Sequence, residues 1–403
     1  MLGKGDRKEM KKNNNIVYIV TSRAFTSFGQ ALIFVSLTWL AAELTNSAKL
    51  LSMMSAARIL PGILFSLFVG AYIDKVDKRK AWILLDYTRS ILMFTFFILF
   101  ALDKIGIWGL ICIVFLNATI EDAKNMLTSA SIPQMVTNEQ LQEANSKVNG
   151  AENLFQFFGN AISGMLYSIG GVIVSIICTI LTSLLSAFSI SKTTTRGNAM
   201  RSTPTSMLHK EIAYGVDYLL KHKDLILLFS MSVSANAMLS SAGLLALHLQ
   251  RTFDASPVVY GLIEGVDAVG GVFAAILLSK IQIKNGMRFL TFCSLGLGAA
   301  YAVEGFMPNS YLLAILICTT GMILVAFNIS YITEFQKALD EEVRGRVMSL
   351  TYMITTIVYI SSAFFSGVLA DMIDIKIVWG LFGGAHIIVT ILILSVEKKV
   401  KHS

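Results

Sequence analysis

From residue 16 onward, long apolar runs alternate with short polar breaks. The runs fall at 16–43, 51–73, 81–102, 107–131, 148–169, 171–191, 225–249, 257–280, 288–306, 311–335, 347–370 and 377–396. Each is close to the roughly twenty residues that a helix needs to cross a bilayer core. Backbone in lipid must satisfy its own hydrogen bonds, so runs of this kind predict helices. The pattern predicts an all-α polytopic membrane protein of 12 transmembrane helices in two pseudo-symmetric six-helix bundles, at 16–191 and 225–396. A basic tail at 1–15 and a short tail at 397–403 flank them. The first run follows that basic tail as a secretory signal would, but it continues to Ala42 without a small-residue cleavage site. It therefore reads as a membrane helix that stays attached.

The longest polar break is 192–224, expected to be a linker between the bundles. In its second part, Ile212, Val216 and Leu219 recur at helical spacing between basic ends. An amphipathic helix on the membrane surface fits this pattern, and a solvated linker is the other reading.

Composition agrees with the pattern. The 403 residues are 55% hydrophobic and 15% charged, whereas a soluble domain is about 25% charged. The net charge of +7 would suggest nucleic acid if it were clustered on one domain. Instead, 25 of the 33 lysines and arginines fall in the tails and in alternate breaks, all on one predicted side. The opposite side holds only Lys49, Lys104, Arg251 and Lys376. By the positive-inside rule both termini face the cytoplasm of a bacterial inner membrane. The basic charge is thus topological, and no nucleic-acid partner is expected. Cys112, Cys178, Cys293 and Cys318 all lie inside apolar runs. They read as small hydrophobes packed between helices, with no metal site or cofactor.

The two halves resemble each other weakly. At an offset of 209, Ser47 falls on Ser256, Gly62 on Gly271, Lys75 on Lys284 and Arg79 on Arg288. At an offset of 203, Ser146 falls on Ser349 and Ser163-Gly164 on Ser366-Gly367. Duplication of this sort is the architecture of secondary transporters, with a site near the midplane between the halves.

The break after the second run reads Gly70-Ala-Tyr-Ile-Asp74-Lys75-Val-Asp77-Lys78-Arg79-Lys80. An aspartate at a helix end can meet a neighbouring helix N-terminus and the basic residues beside it. This segment resembles the loop signature of the major facilitator superfamily, with Asp77 where that signature has a glycine. The resemblance implies a gate on the cytoplasmic side formed by Gly70, Asp74, Lys75 and Arg79, joined by Arg344 and Arg346. Further segments are similar to the macrolide-efflux and siderophore-exporter-like, drug–proton antiporter subgroup. They are Leu37-Thr-Trp-Leu-Ala-Ala-Glu-Leu-Thr-Asn-Ser47, Asp86-Tyr-Thr-Arg89, Ile132-Pro-Gln-Met-Val136, Leu141-Gln-Glu-Ala-Asn-Ser146, Tyr214-Gly-Val-Asp-Tyr-Leu219 and Arg344-Gly-Arg-Val347. The fifth run has Phe158-Gly159-Asn160 where exporters often carry Gly-Pro.

Charges inside the membrane cost about 2.5–3.5 kcal/mol each even on the gentler scales, so they point to function. The fourth run places Asn117, Glu121, Lys124 and Thr128 on one helical face, with Asp122 and Asn125 beside them. Glu121 lies about 20 Å from the outer helix end at 1.5 Å per residue. The resemblance implies that the first, fourth, seventh and tenth helices line the transport path. Glu121 or Asp122 then carries a coupling proton while Lys124 tunes it or meets cargo; alternatively, Glu121 and Lys124 form a structural ion pair. In the eighth run, Glu264 and Asp267 are one turn apart, a second proton candidate unless they pair with Arg58. Arg23 is expected to snorkel to headgroups, and Asp86 with Arg89 to form a local structural ion pair. Asn236 and Asn328 serve equally as cavity lining or as interhelical hydrogen-bond partners. Lone His386 is expected to pack away from the cavity. Aromatic residues within the runs, Phe25, Phe28, Trp39, Phe155, Phe157, Tyr331 and Tyr359, suit amphipathic cargo or a lipid-facing belt.

With no G-x-x-x-x-G-K-[ST] loop and no histidine–carboxylate or thiol cluster in the chain, the reading is not an enzyme. It is a monomeric, proton-coupled exporter of small hydrophobic or amphipathic cargo, working by alternating access in the lipid bilayer. The alternatives are an importer or flippase on the same fold, or a transport-inactive membrane sensor.

Overall fold

The computed structural model describes residues 15–73, 76–137, 140–194, 208–281, 283, 285–340 and 343–402. Among these it is helical with no strand. The helices are α1 (Asn15–Leu44), α2 (Ala48–Ile73), α3 (Lys78–Ala101), α4 (Ile107–Met135), α5 (Leu141–Ser191), α6 (Leu208–Lys221), α7 (Lys223–Leu239), α8 (Leu245–Phe253), α9 (Pro257–Lys280), α10 (Gly286–Glu304), α11 (Ser310–Lys337), α12 (Arg344–Met372) and α13 (Ile375–His402). A 3₁₀ turn at Ser240–Leu244 joins α7 to α8.

Nine helical segments among the described residues are long and apolar enough to cross a membrane. One is the 51-residue α5, in which two helices meet at a kink. Gly171 there has φ +62°, a conformation that only glycine adopts without strain. α5 begins at Leu141, seven residues before the apolar run that announced it, because its first two turns are amphipathic. Polar caps close the breaks: the side chains of Asp77, Asn285 and Asn309 accept from the backbone N–H of Lys80, Arg288 and Leu312. Each satisfies an otherwise orphaned donor.

Helices α1–α5 pack chiefly with one another, as do α7–α13, and the two groups meet where α9 lies on α5 and α12 on α2. Asn15 at the start of α1 donates to the Met135 carbonyl at the end of α4 (2.7 Å) and to that of Thr194 just past α5 (2.9 Å). These ends therefore share one face, here the terminal face. The opposite face carries the α1–α2 turn, the α5 kink and the start of α9.

The internal repeat becomes geometry at the glycines. A Cβ placed on Gly62 of α2 would meet Asp122 of α4, and one on Gly271 of α9 would meet Val325 of α11, the residue 203 positions after Asp122. Likewise Gly164 of α5 receives the carbonyl of Pro257, the first residue of α9. Gly367 of α12 receives that of Ala48, the first residue of α2. Each half thus seats the other's second helix against a glycine, near the opposite face.

α6 leans on α12: Gly215 lies against Leu350, and the Tyr218 hydroxyl donates to Asp340 (2.9 Å). The side chain of Ile212 lies outside the described residues; Leu219 is buried and Val216 exposed. Of the four unpaired cysteines, Cys293 is buried, Cys178 and Cys318 are half-buried, and Cys112 is exposed. Packing between helices therefore does not describe Cys112, which sits on the outward face of α4.

Candidate functional site

Two polar stripes build the site. On α4, Glu121, Asp122, Asn125 and Thr128 turn to a cavity of about 430 Å³. Facing them, α5 presents Asn145, Asn149, Glu152 and Gln156, spaced four, three and four residues apart on one helical face. α1 adds Arg23, Ser27 and Gln30, and α2 adds Arg58. Among the described residues no aromatic one lines this cavity, so its wall is more polar than the aromatic-rich runs suggested. The lining reaches Ser129 and Ile132 near the end of α4 and Asn145 near the start of α5, so the cavity reaches toward the terminal face.

Behind the wall, charges are sorted into pairs. Lys124 is turned away from the cavity: its ammonium binds Asp86 of α3, donates to Thr26 of α1, and lies 3.0 Å from Ser186 Oγ of α5. Ser186 in turn donates to the other Asp86 oxygen at 2.8 Å. Lys124 and Asp86 are each 1% exposed. Such burial is tolerable because the ammonium has three acceptors and each Asp86 oxygen has a donor. Arg89 donates to Gln30 (2.8 Å) and lies 3.5 Å from Glu121; Asn117 donates to the same Gln30 oxygen at 3.2 Å. The expected local pair of Asp86 with Arg89 is therefore replaced by two pairs between α3 and α4. The alternative Glu121–Lys124 pair is replaced with it. Helical spacing brings i,i+3 residues near one another, but long side chains choose the partner that completes burial.

Arg23 does not snorkel to a headgroup. It is buried, its guanidinium binds Glu152 of α5, and it donates to Asn125 of α4 at 2.7 Å. Arg58 also departs from expectation. It makes no salt bridge with Glu264 or Asp267; its guanidinium lies 4.0 Å over the Phe34 ring.

In the second half, Glu264 and Thr38 of α1 both lie beside the Tyr260 hydroxyl. Asp267 faces α11 at Gly321. Beside it Glu304, buried at the end of α10, accepts from Thr320 at 2.6 Å. Asn236 donates to its own helix at Ser232 (2.9 Å), Asn328 is exposed on α11, and His386 is buried between Ser234 and Ser294. None of these three lines the polar cavity.

At the opposite face Asp371 of α12 accepts from the Ala48 and Lys49 N–H groups (2.6 and 3.3 Å) and from the Ser47 hydroxyl (2.7 Å). It thereby caps α2 across the two halves. Arg251 donates to the Asn46 carbonyl beside it. At the terminal face, Arg79 donates to the Ser191 carbonyl and Arg344 to that of Leu339 at 3.4 Å. Arg346 stands in the same first turn of α12. Gly70 falls within α2, and Asp74 and Lys75 lie outside the described residues.

Sequence reasoning missed Gln30, Glu152, Glu304 and Asp371. The α5 stripe was findable, since its spacing repeats that of α4, whereas Asp371 and Glu304 sit at helix ends where a charge draws no notice.

A family model described as Major Facilitator Superfamily matches residues 19–363. Macrolide efflux protein A of Streptococcus pyogenes is 22% identical over 94% of this chain and 96% of its own length. The Staphyloferrin A transporter of Staphylococcus aureus is 21% identical over 95% of this chain and 96% of its own. Among solved structures, a bacterial homologue of the iron transporter ferroportin in its inward-facing state superposes with a TM-score of 0.71. It covers 96% of this chain and 99% of that one at 16% identity.

Proposed function

Because the chain belongs to the Major Facilitator Superfamily, we propose that it is a secondary active transporter that exports small amphipathic compounds in exchange for protons. The observation that carries this reading is the polar, carboxylate-bearing cavity reaching toward the terminal face while α2 and α9 are seated across the halves at the other. That is one end state of alternating access between two pseudo-symmetric halves.

Counting α5 as two helices across Gly171 and adding α2 and α4, which are not among the nine apolar segments, gives twelve spans, with α7 to α8 as one. An even number puts both termini on one side, and the basic residues make that side the cytoplasm. The cavity then faces inward, in a bacterial cytoplasmic membrane, in a chain that works as a monomer. Beside α2 an apolar cleft of about 290 Å³ is lined by Ile63, Met348, Tyr352 and Met353. A polar cavity and an apolar cleft flanking one helix suit a cargo with both characters, an antibiotic or a siderophore-like metabolite. The direction rests on the relatives named for efflux, since fold does not set it. Asp122 is the leading proton carrier because it faces the cavity with no ion pair among the described residues, whereas Glu121 is held by Arg89.

The test is uptake of radiolabelled erythromycin into inside-out proteoliposomes under an imposed pH gradient. Accumulation that collapses with the gradient and with Asp122→Asn is expected. Accumulation indifferent to the gradient would contradict proton coupling, and none at all would contradict macrolide-like efflux.

A further inference from the structure

Apart from Lys78, which is buried at the start of α3 and donates to the Ala130 carbonyl, the described part of the first half holds the interior cations Arg23, Arg58, Arg89 and Lys124 and the interior carboxylates Asp86, Glu121, Asp122 and Glu152. Three of each are locked together as Lys124–Asp86, Arg89–Glu121 and Arg23–Glu152. Arg58 and Asp122 remain, and neither has an ion pair among the described residues. They are close all the same. Asp122 leans on α2 at Gly62, its Oδ2 3.3 Å from the position a Cβ would take there. Gly62 is one helical turn from Arg58, on the same face.

Arg58 faces a second carboxylate, across the boundary between the halves. Its guanidinium lies over Phe34, in a small pocket of about 30 Å³ that continues to Thr38, one turn further along α1. Thr38 and Glu264 both lie beside the Tyr260 hydroxyl, and the Tyr260 ring stacks on Trp39 of α1 with centroids 5.7 Å apart. Arg58 thus stands where the open cavity and this pocket join, lining both. The charged and titratable groups around it are Asp122 from α4, Glu264 and Tyr260 from α9, and Tyr359 from α12. Asp267 faces away, toward α11.

We propose that Arg58 couples the two halves, its guanidinium moving between Asp122 of the first half and Glu264 of the second as each gains or loses a proton. An arginine that rests over a ring without an ion pair is loosely held. A bare carboxylate on either side attracts it more strongly than that ring. When Asp122 takes a proton from the open cavity, Arg58 is released toward Glu264, which draws α2 toward α9. When Asp122 gives its proton up, Arg58 returns and that attraction is lost. The inference rests on the proton-coupled reading above and assigns the residue through which the proton acts. Arg58 is a positioning residue, since it carries no proton itself.

The test needs no cargo. In a cysteine-free background, Asn149→Cys places a thiol in the cavity wall, and its maleimide labelling rate is followed from pH 6 to 8, normalised to a denatured control. With Arg58 present, the rate is expected to change several-fold across this range beyond the reagent's own pH dependence. Arg58→Gln is expected to flatten the profile, Arg58→Lys to keep it, and Glu264→Gln to flatten it by removing one end of the movement. A pH-dependent profile that Arg58→Gln leaves unchanged would overturn this inference alone. A flat profile with Arg58 in place would overturn the proton-coupled reading and this inference with it.

Discussion

At the scale of single residues, interior charges divide into those that hold the first half together and those that are free to act. Lys124 and Asp86 belong to the first kind. Removing one partner of so buried a pair strands the other, which costs about 3–5 kcal/mol, whereas replacing both with apolar residues is often neutral. Lys124→Met is therefore expected to lower the melting temperature in detergent sharply, and Asp86→Leu with Lys124→Met to recover most of it. Equal loss in the single and double variants would show that the pair acts on cargo or protons rather than on packing. Asp122→Asn should leave stability nearly unchanged while removing gradient dependence. The residue types were legible in the sequence, because an ionisable group inside an apolar run is conspicuous. Their partners were not. Which carboxylate Lys124 meets depends on how α3, α4 and α5 pack around Ser186, and no local spacing encodes that.

At the scale of elements, the contact across the opposite face is built from two glycines and a cap. Gly164 and Gly367 let helix starts approach to backbone distance, and Asp371 supplies the acceptor that the first turn of α2 lacks. A cap of this type is worth about 0.5–2 kcal/mol, and the charge at a helix N-terminus adds to it. Asp371→Ala is expected to speed hydrogen exchange at the amides of residues 48–51, by about 5–30-fold for 1–2 kcal/mol. Unchanged exchange would mean that the seal does not depend on this cap. Gly367→Val would push into Ser52 and the Ala48 carbonyl and should loosen the same face, seen as faster exchange in the same peptide. The helices themselves were readable from the apolar runs, with end shifts where amphipathic turns, as at Leu141, extend a helix beyond its apolar part. The pairing of Ser163-Gly164 with Ser366-Gly367 was visible as a repeat. Its meaning as a joint was not, because a glycine in sequence does not reveal what approaches it.

At the scale of the whole molecule, the offset repeat and the balance of paired and unpaired charge point to two halves that exchange which face is open. The polar cavity lies wholly in the first half. Glu264 and Asp267 belong to the second, so the proposed coupling requires movement of the halves to link them. The most direct measurement is of two distances by pulsed electron spin resonance in liposomes, on the cysteine-free protein. Labels at Lys49 and Met372 span the opposite face, and labels at Ser129 and Ser349 span the terminal face. As pH is lowered or raised across neutrality, the account predicts reciprocal change, one distribution lengthening as the other shortens, with both responses lost in Asp122→Asn. Two distributions that stay fixed, or that lengthen together, would contradict a proton-coupled exchange of open faces.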